Sequence, residues 1–117
     1  MLAVRNITRK TLLGDRISVA DGSLARLVGL LGRKSLEPGT GLLIVPSQAV
    51  HTLGMRFPID VLFMDRTCRV VGLRPRLAPF RLSRLYWKAW AVLELPAGTA
   101  ALSNTAFGDQ LSVEEVP

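Results

Sequence analysis

Two carboxylates, a histidine and an arginine in this sequence have the chemistry of a general acid–base site. Asp60 and Glu94 each adjoin an apolar run, and His51 and Arg56 lie shortly before Asp60. If both carboxylates converge beside the other two side chains, the group suffices for proton transfer in a hydrolase-like enzyme. The favoured alternative is structural, with a buried Asp60 that bonds Arg56 or loop amides and pins the loop. Glu94 is either buried near a strand edge or exposed at a strand end.

Metal and thiol chemistry have weaker support. The chain has one histidine, His51, and one cysteine, Cys68, so it lacks the Cys/His cluster of a zinc site. Cys68 also falls at an expected hairpin turn, and nothing places it beside His51 as a nucleophile pair requires. We therefore predict no metal site and no cofactor.

Positive charge is concentrated in one segment. The formal net charge is +6, and residues 66–93 contain seven basic side chains and no acidic one. Aromatic side chains are interleaved with these cations, a pattern that can bind single-stranded nucleic acid, but no RNA-binding signature accompanies it. The favoured interpretation is a solvated loop whose aromatics cover a sheet edge; an anionic small molecule or protein is an alternative partner. The anionic-partner candidates are Arg74, Arg76, Arg81, Arg84 and Lys88.

The elements that must position these residues are mostly short strands. Apolar or β-branched runs predict strands at residues 4–7, 17–20, 42–45, 59–64, 69–73, 88–95 and 110–114. We expect turns at Gly14-Asp15 and at residues 65–68, and a loop at residues 73–84 because it contains Pro75 and Pro79. Ser23 can cap a helix over residues 23–31 that ends at Gly32, and residues 97–104 can form a helical turn.

This pattern predicts one strand-rich α+β domain spanning residues 1–117. No regular βαβ alternation is present, so we expect a strongly bent sheet or partly closed β-barrel with one short helix packed on it. Hydrophobic residues make up 49% of the chain and charged residues 21%, which is typical of a packed protein. No run approaches the roughly 20 apolar residues of a membrane span, and no signal-peptide core is visible, so a cytoplasmic protein is expected. The sequence carries no indication of oligomeric state.

Several motifs occur in order and resemble one known family. Residues 41–46 (GLLIVP) and 51–65 (HTLGMRFPIDVLFMD), with residues 26–41, 92–98 and the Gly108-Asp109 pair, resemble the domain of unknown function 192 family over about residues 24–113. The resemblance implies a compact strand-rich domain with one helix, found in bacteria and archaea, and no established activity. It makes Met55, Arg56, Asp60 and Glu94 the best site candidates. Relatives often have glycine where Cys68 stands.

Three hypotheses for function follow. The leading one is a noncatalytic binding or interaction module for an anionic ligand or partner. The alternatives are a hydrolase-like enzyme that uses Asp60, Glu94 and His51, and nucleic-acid binding through the loop at residues 74–88. The ligand-binding candidates are His51, Thr52, Met55, Arg56, Asp60 and Glu94.

Overall fold

The computed structural model describes residues 1–22 and 33–117, and within them seven strands form one strongly curled sheet. The elements are β1 (Leu2–Asn6), β2 (Thr11–Ala20), β3 (Thr40–Ile44), β4 (Ile59–Met64), β5 (Val70–Leu77), β6 (Ala91–Pro96), the short helix α1 (Thr99–Leu102) and β7 (Leu111–Glu115). The strand order is β5-β4-β6-β3-β2-β1-β7, with β2 and β3 parallel and the other neighbours antiparallel. The sheet is curled into a half-barrel. One isolated bridge, between Arg69 and Gln110, connects the residues that immediately precede the edge strands β5 and β7.

The expected strand-rich α+β class with a partly closed barrel is confirmed. The helical turn expected at residues 97–104 is α1. The helix expected at residues 23–31 lies outside the described residues. Among the residues that are described, no helix is long and apolar enough to cross a membrane.

Strands β3 to β6 contribute to a core on each face of the sheet, because their alternate side chains point to opposite sides. All seven strands contribute to the inner core, which includes Val4, Ile17, Leu43, Leu62, Leu93 and Leu111. The outer core combines Leu42, Val61 and Val92 from the sheet with Val50, Met55 and Tyr86 from two covering loops, at residues 45–58 and 78–90. Strand β4 is buried along its whole length, as its continuous apolar run predicts.

The loop expected at residues 73–84 is wrong in its first half, because β5 continues to Leu77. On β4, Ile59 pairs with Leu77 and Val61 with Arg74, so β5 has one extra residue at this point. Arg76 has a φ of 49° in this bulge. Pro75 is compatible with this bulge because β5 is an edge strand. Backbone N–H groups on the outer side of an edge strand have no neighbouring strand to bond, so a residue without an N–H is tolerated.

The turn expected at Gly14-Asp15 is also wrong, because Gly14 lies inside β2. Leu2 pairs with Ile17 and Val4 with Gly14, which marks a bulge. A Cβ atom on Gly14 would lie 2.8 Å from Ile17 Cδ1 and 2.9 Å from Gly39 O, so this glycine permits a close approach. The β1–β2 hairpin instead turns at residues 7–10.

The hairpin turn expected at residues 65–68 is confirmed. The Cys68 backbone has a φ of 66°, which glycine adopts without strain. Asp65 Oδ1 shapes the turn by accepting hydrogen bonds from the Thr67 and Arg69 backbone N–H groups and from the Thr67 hydroxyl. Burial raises the pKa of the Cys68 thiol, and the adjacent Asp65 carboxylate raises it further.

We expect the Cys68 thiol to react several-fold more slowly than an unhindered thiol at neutral pH, because less of it is thiolate. The measurement is the rate of reaction with Ellman's reagent in the folded protein and in urea. The slow reaction should disappear on unfolding. Equal rates in the two conditions would show that the turn does not protect the thiol.

Candidate functional site

Asp60 is fully buried, and its carboxylate is occupied by three backbone N–H groups. Oδ1 accepts a hydrogen bond from Arg76 N at 2.8 Å, and Oδ2 accepts from Gly98 N at 3.1 Å and Ala100 N at 2.8 Å. The carboxylate thereby connects the β5 bulge to the segment that follows β6. Of the two structural partners considered from the sequence, loop amides hold Asp60, whereas Arg56 is exposed and forms no ion pair among the described residues.

The same carboxylate caps helix α1. The residue at the N-cap is Gly98, which has no side chain to accept a hydrogen bond from the first turn. Asp60 Oδ2 supplies that acceptor from β4, because it bonds the N–H of Ala100 within the first turn. Asp60 is thus a structural joint between β4, β5 and α1.

Glu94 has a different environment. It lies on β6 between Leu42 of β3 and Val61 of β4, and it is 3% exposed. Its Oε1 atom is buried and has no hydrogen-bond partner. Burial raises the pKa of Glu94 from 4.5 to about 7. With this pKa a substantial fraction of Glu94 is protonated at neutral pH.

A third buried carboxylate, Asp109, shows how unusual Glu94 is. Asp109 Oδ2 accepts hydrogen bonds from Asn6, Arg9 and the Ala106 backbone N–H, each at 2.9–3.0 Å. Burial alone would raise the pKa of Asp109, but these hydrogen bonds and the Arg9 charge outweigh it and lower the pKa. Asp60 and Asp109 are therefore satisfied by donors, whereas one oxygen of Glu94 is not.

The structure does not bring Asp60 and Glu94 together. In the β4–β6 ladder Asp60 pairs with Leu95 and Glu94 pairs with Val61. Neighbouring positions on a strand point to opposite faces, so Asp60 faces the inner core and Glu94 the outer core. The two carboxylates cannot share a proton or flank one substrate bond in this arrangement.

The remaining ligand-binding candidates lie in the loop that covers the outer core. Thr52 is fully buried, donates its hydroxyl to Ala78 O at 2.6 Å and accepts from Arg81 N at 2.8 Å. Met55 is part of the outer core. His51 forms an isolated bridge with Leu82, and its buried Nδ1 has no hydrogen-bond partner. Within residues 1–22 and 33–117, no three His, Cys, Asp or Glu side chains form a group that could hold a metal ion.

The loop at residues 78–90, which carries Arg81, Arg84 and Lys88 and is called the basic loop below, is held against the rest of the protein by hydrogen bonds and ring stacking. Thr52 and Val50 exchange hydrogen bonds with residues 80–83, and Tyr86 N donates to Gln48 O at 2.8 Å. The Tyr86 ring stacks on Phe63 with centroids 3.8 Å apart. These contacts hold the backbone from which the basic side chains project.

The cations of this segment remain available to a ligand. Arg76, Arg81, Arg84 and Lys88 are exposed and Arg74 is half-buried. None of the ion pairs within the described residues includes a cation from residues 66–88. The Arg84 guanidinium lies 4.2 Å from the centre of the Tyr86 ring, so a cation–π contact positions it.

An open cleft of about 720 Å³ is lined by both ends of this segment, and sequence reasoning did not identify it as a site. Its walls are the β4–β5 turn, residues 46–48 and residues 87–90. The principal lining side chains are Ser47, Gln48, Arg66, Trp87, Lys88 and Trp90. The spacing of Trp87 and Trp90, three positions apart, is the one feature of the sequence that could have indicated this site. Nothing in the sequence predicts that Arg66 lies beside them.

Comparisons with known proteins place this geometry in a family. A UPF0127 protein of Thermococcus sibiricus is 29% identical over 93% of this chain and 73% of its own length. A solved structure of a protein of unknown function from Novosphingobium aromaticivorans is similar in fold, with a TM-score of 0.80 at 20% identity over 95% of this chain and 82% of that one. A candidate transcription regulator from Sinorhizobium meliloti gives a TM-score of 0.79 at 21% identity, over 96% and 91%.

The family model for DUF192, described as an uncharacterized ACR, matches residues 4–113. The match includes the first strand, which the motifs starting near residue 24 do not reach. It confirms the resemblance inferred from the motifs, and the chain belongs to the DUF192 family.

Proposed function

We propose that the protein is a noncatalytic binding module that holds an anionic ligand or partner on the basic segment at residues 66–88. The observation that carries this proposal is the combination of exposed cations with the absence of internal ion pairs along that segment in the described part of the chain. Unpaired cations on one surface produce a positive potential that attracts anions and accelerates their association.

The attachment of the basic loop supports binding over simple solvation. The hydrogen bonds of Thr52 and the stacking of Tyr86 on Phe63 fix the loop before any ligand arrives. A ligand that meets a fixed array of cations loses less affinity to ordering than one that must organise a free loop. The array is therefore suited to recognition as well as to solubility.

Binding is favoured over the hydrolase-like alternative by the state of the carboxylates. Asp60 already accepts three amide hydrogen bonds, and it lies on the opposite face of the sheet from Glu94. An enzyme built on Asp60, Glu94 and His51 would need all three in one open pocket. The anionic-ligand proposal needs no such rearrangement.

The test is retention on a heparin column, with heparin as a generic polyanion. We expect the double variant Arg81→Glu/Arg84→Glu to elute at clearly lower salt than the unmodified protein. The matched control is Arg5→Glu/Lys10→Glu, which makes the same change of net charge at two exposed positions outside the segment. Circular dichroism confirms that both variants are folded.

Equal shifts in the two double variants would overturn the proposal, because retention would then depend only on net charge. A larger shift for the Arg81/Arg84 variant supports a localised anion-binding surface. The number of anionic contacts follows from the slope of log affinity against log salt, which falls by about 0.7–0.9 for each neutralised phosphate on a nucleic acid.

A further inference from the structure

We propose that the cleft between the β4–β5 turn and residues 87–90 binds a nucleotide unit, that is, a nucleobase with an attached phosphate. This inference rests on the proposed function and gives it a defined ligand chemistry. The cleft volume of about 720 Å³ lies in the range of small-ligand sites, about 300–1,000 Å³. Its lining combines aromatic rings, on which a base can stack, with cations that can bind a phosphate.

The aromatic surface is presented to solvent. The Trp87 side chain is 77% exposed, although a large apolar ring is normally covered. Trp90 is half-buried in the same cleft. The Gln48 side chain donates a hydrogen bond to Trp87 O at 3.0 Å, which holds the backbone of this residue at the cleft wall. An exposed indole on a fixed backbone is a stacking platform for a base.

The cations stand next to the aromatic rings. Arg66 lies over the Trp90 ring, with the guanidinium carbon 5.4 Å from the ring centre. Lys88 lines the cleft beside Trp87. Neither cation takes part in an ion pair within the described residues. A phosphate attached to a base stacked on tryptophan is therefore within the same cleft as two cations that form no ion pair within the described residues.

One carboxylate, Asp65, also lines the cleft and would repel an anion. Its Oδ1 atom accepts three hydrogen bonds from the turn, from the Thr67 N–H and hydroxyl and from the Arg69 N–H. These hydrogen bonds engage Oδ1 within the turn, and the positive charge of Arg69 offsets part of the negative charge of Asp65. The cleft retains two cations against one carboxylate, so its balance still favours an anion.

The polar side chains at positions 47 and 48, which also line the cleft, are suited to the edge of a base. Ser47 lies there and donates its hydroxyl to Ala49 O. Gln48 uses its amide N–H on Trp87 O, and no hydrogen bond within the described residues engages its amide oxygen. That oxygen can accept a hydrogen bond from an exocyclic amine of a base.

The two tryptophans make the experiment direct, because the chain has no others. Tryptophan fluorescence of the whole protein therefore reports on this cleft alone. The protein is titrated with AMP and UMP, with ribose 5-phosphate as a probe that lacks the base, and with adenosine as a probe that lacks the phosphate. We expect the nucleotides to quench the fluorescence and to bind more tightly than either fragment.

Variants then test the stacking platform, with calorimetry as the readout so that loss of a fluorophore does not matter. Trp87→Ala should weaken AMP binding about 5- to 150-fold, the range that corresponds to the loss of one base–aromatic stack. Phe107→Ala removes a similarly exposed ring outside the cleft and should leave the affinity unchanged. Arg66→Gln should weaken AMP but not adenosine.

A second titration distinguishes the two sources of this chemistry. If oligothymidylate binds much more tightly than a single nucleotide and its affinity falls steeply with salt, the cleft receives single-stranded nucleic acid. If the affinities are equal, it receives a free nucleotide. Either result supports a nucleotide site.

Three results would overturn the inference. The first is no binding of any nucleotide at millimolar concentration, and the second is ribose 5-phosphate binding as tightly as AMP. The third is an acidic peptide that displaces or outcompetes the nucleotides at the cleft. Trp87→Ala leaves every charge in place, whereas the heparin test changes Arg81 and Arg84. An unchanged AMP affinity in Trp87→Ala would therefore contradict the nucleotide cleft without bearing on the anion-binding surface that the heparin test examines.

Discussion

Replacing Asp60 with alanine is expected to lower the free energy of unfolding by about 3–5 kcal/mol. The carboxylate accepts hydrogen bonds from the N–H groups of Arg76, Gly98 and Ala100. Alanine would leave these donors without an acceptor at a position where the native side chain is fully buried. The measurement is the midpoint of urea unfolding, interpreted at an unchanged slope so that the shift reports stability.

Two further variants make the Asp60 experiment specific. Asp60→Asn retains one carbonyl oxygen as an acceptor, so we expect a smaller loss than for alanine. Asp15→Ala removes an exposed carboxylate, with a side chain 59% exposed, and should change stability by less than about 0.5 kcal/mol. An unchanged midpoint for Asp60→Ala would contradict the role of Asp60 as the joint between β4, β5 and α1.

Replacing Glu94 with glutamine is expected to stabilise the protein at alkaline pH and to leave it nearly unaffected in acid. Burial raises the pKa of Glu94 from 4.5 to about 7 in the folded state. Below pH 4.5 the carboxyl is protonated in both folded and unfolded chains and has no ionisation penalty. As the pH rises from 4.5 toward about 7 the unfolded chain ionises first, so the stability that the protonated Glu94 carboxyl contributes falls across that window and is fully lost only above it.

The size of the Glu94 effect follows from the shift in pKa. Each pKa unit corresponds to 1.36 kcal/mol, so Glu94→Gln should gain roughly 2–4 kcal/mol above neutral pH. The measurement is the urea midpoint of both proteins across this pH range. The carboxylates with lowered pKa, Asp65 and Asp109, act in the opposite direction and at more acidic pH, where stability falls as they are protonated.

An exposed glutamate provides the control for this second experiment. Glu114→Gln makes the same chemical change as Glu94→Gln, but Glu114 is exposed near the end of β7. Glu114→Gln should leave the pH dependence of stability unaltered. If the unmodified protein and Glu94→Gln show the same pH dependence of stability up to and above pH 7, the pKa of Glu94 is not raised by burial.

Strand positions were predictable where local sequence and tertiary structure agree. The expected strand at residues 59–64 has the same bounds as β4, because a short, mainly apolar run bounded by Pro58 and Asp65 favours a strand buried on both faces. The predicted turn at Gly14-Asp15 and the predicted loop from residue 73 were wrong, because residues typical of turns lie at bulges within strands there. Pro75 and Gly14 both lie inside strands, next to bulges. Gly14 permits a close backbone approach there, whereas Pro75 is tolerated because β5 is an edge strand.

The candidate site was less predictable because its contacts are long-range. The alternation of β4 places Asp60 correctly on the face of Leu62 and Met64. Its donors, however, come from Arg76, 16 residues away, and Ala100, 40 residues away. No spacing rule predicts those pairs, since they depend on the order of strands in the sheet. The unpartnered Oε1 of Glu94 has the same origin, because its surroundings are contributed by β3 and β4.

The capping of α1 by a residue of β4 also constrains the order in which the chain folds. A helix of four residues gains too few hydrogen bonds to form alone, because nucleation is unfavourable and propagation is short. Its acceptor becomes available only once β4 has paired with β6, which requires closing a loop of about 30 residues at an entropic penalty. We therefore expect helix α1 to form after the central sheet, so that substitutions within it change the unfolding rate more than the folding rate.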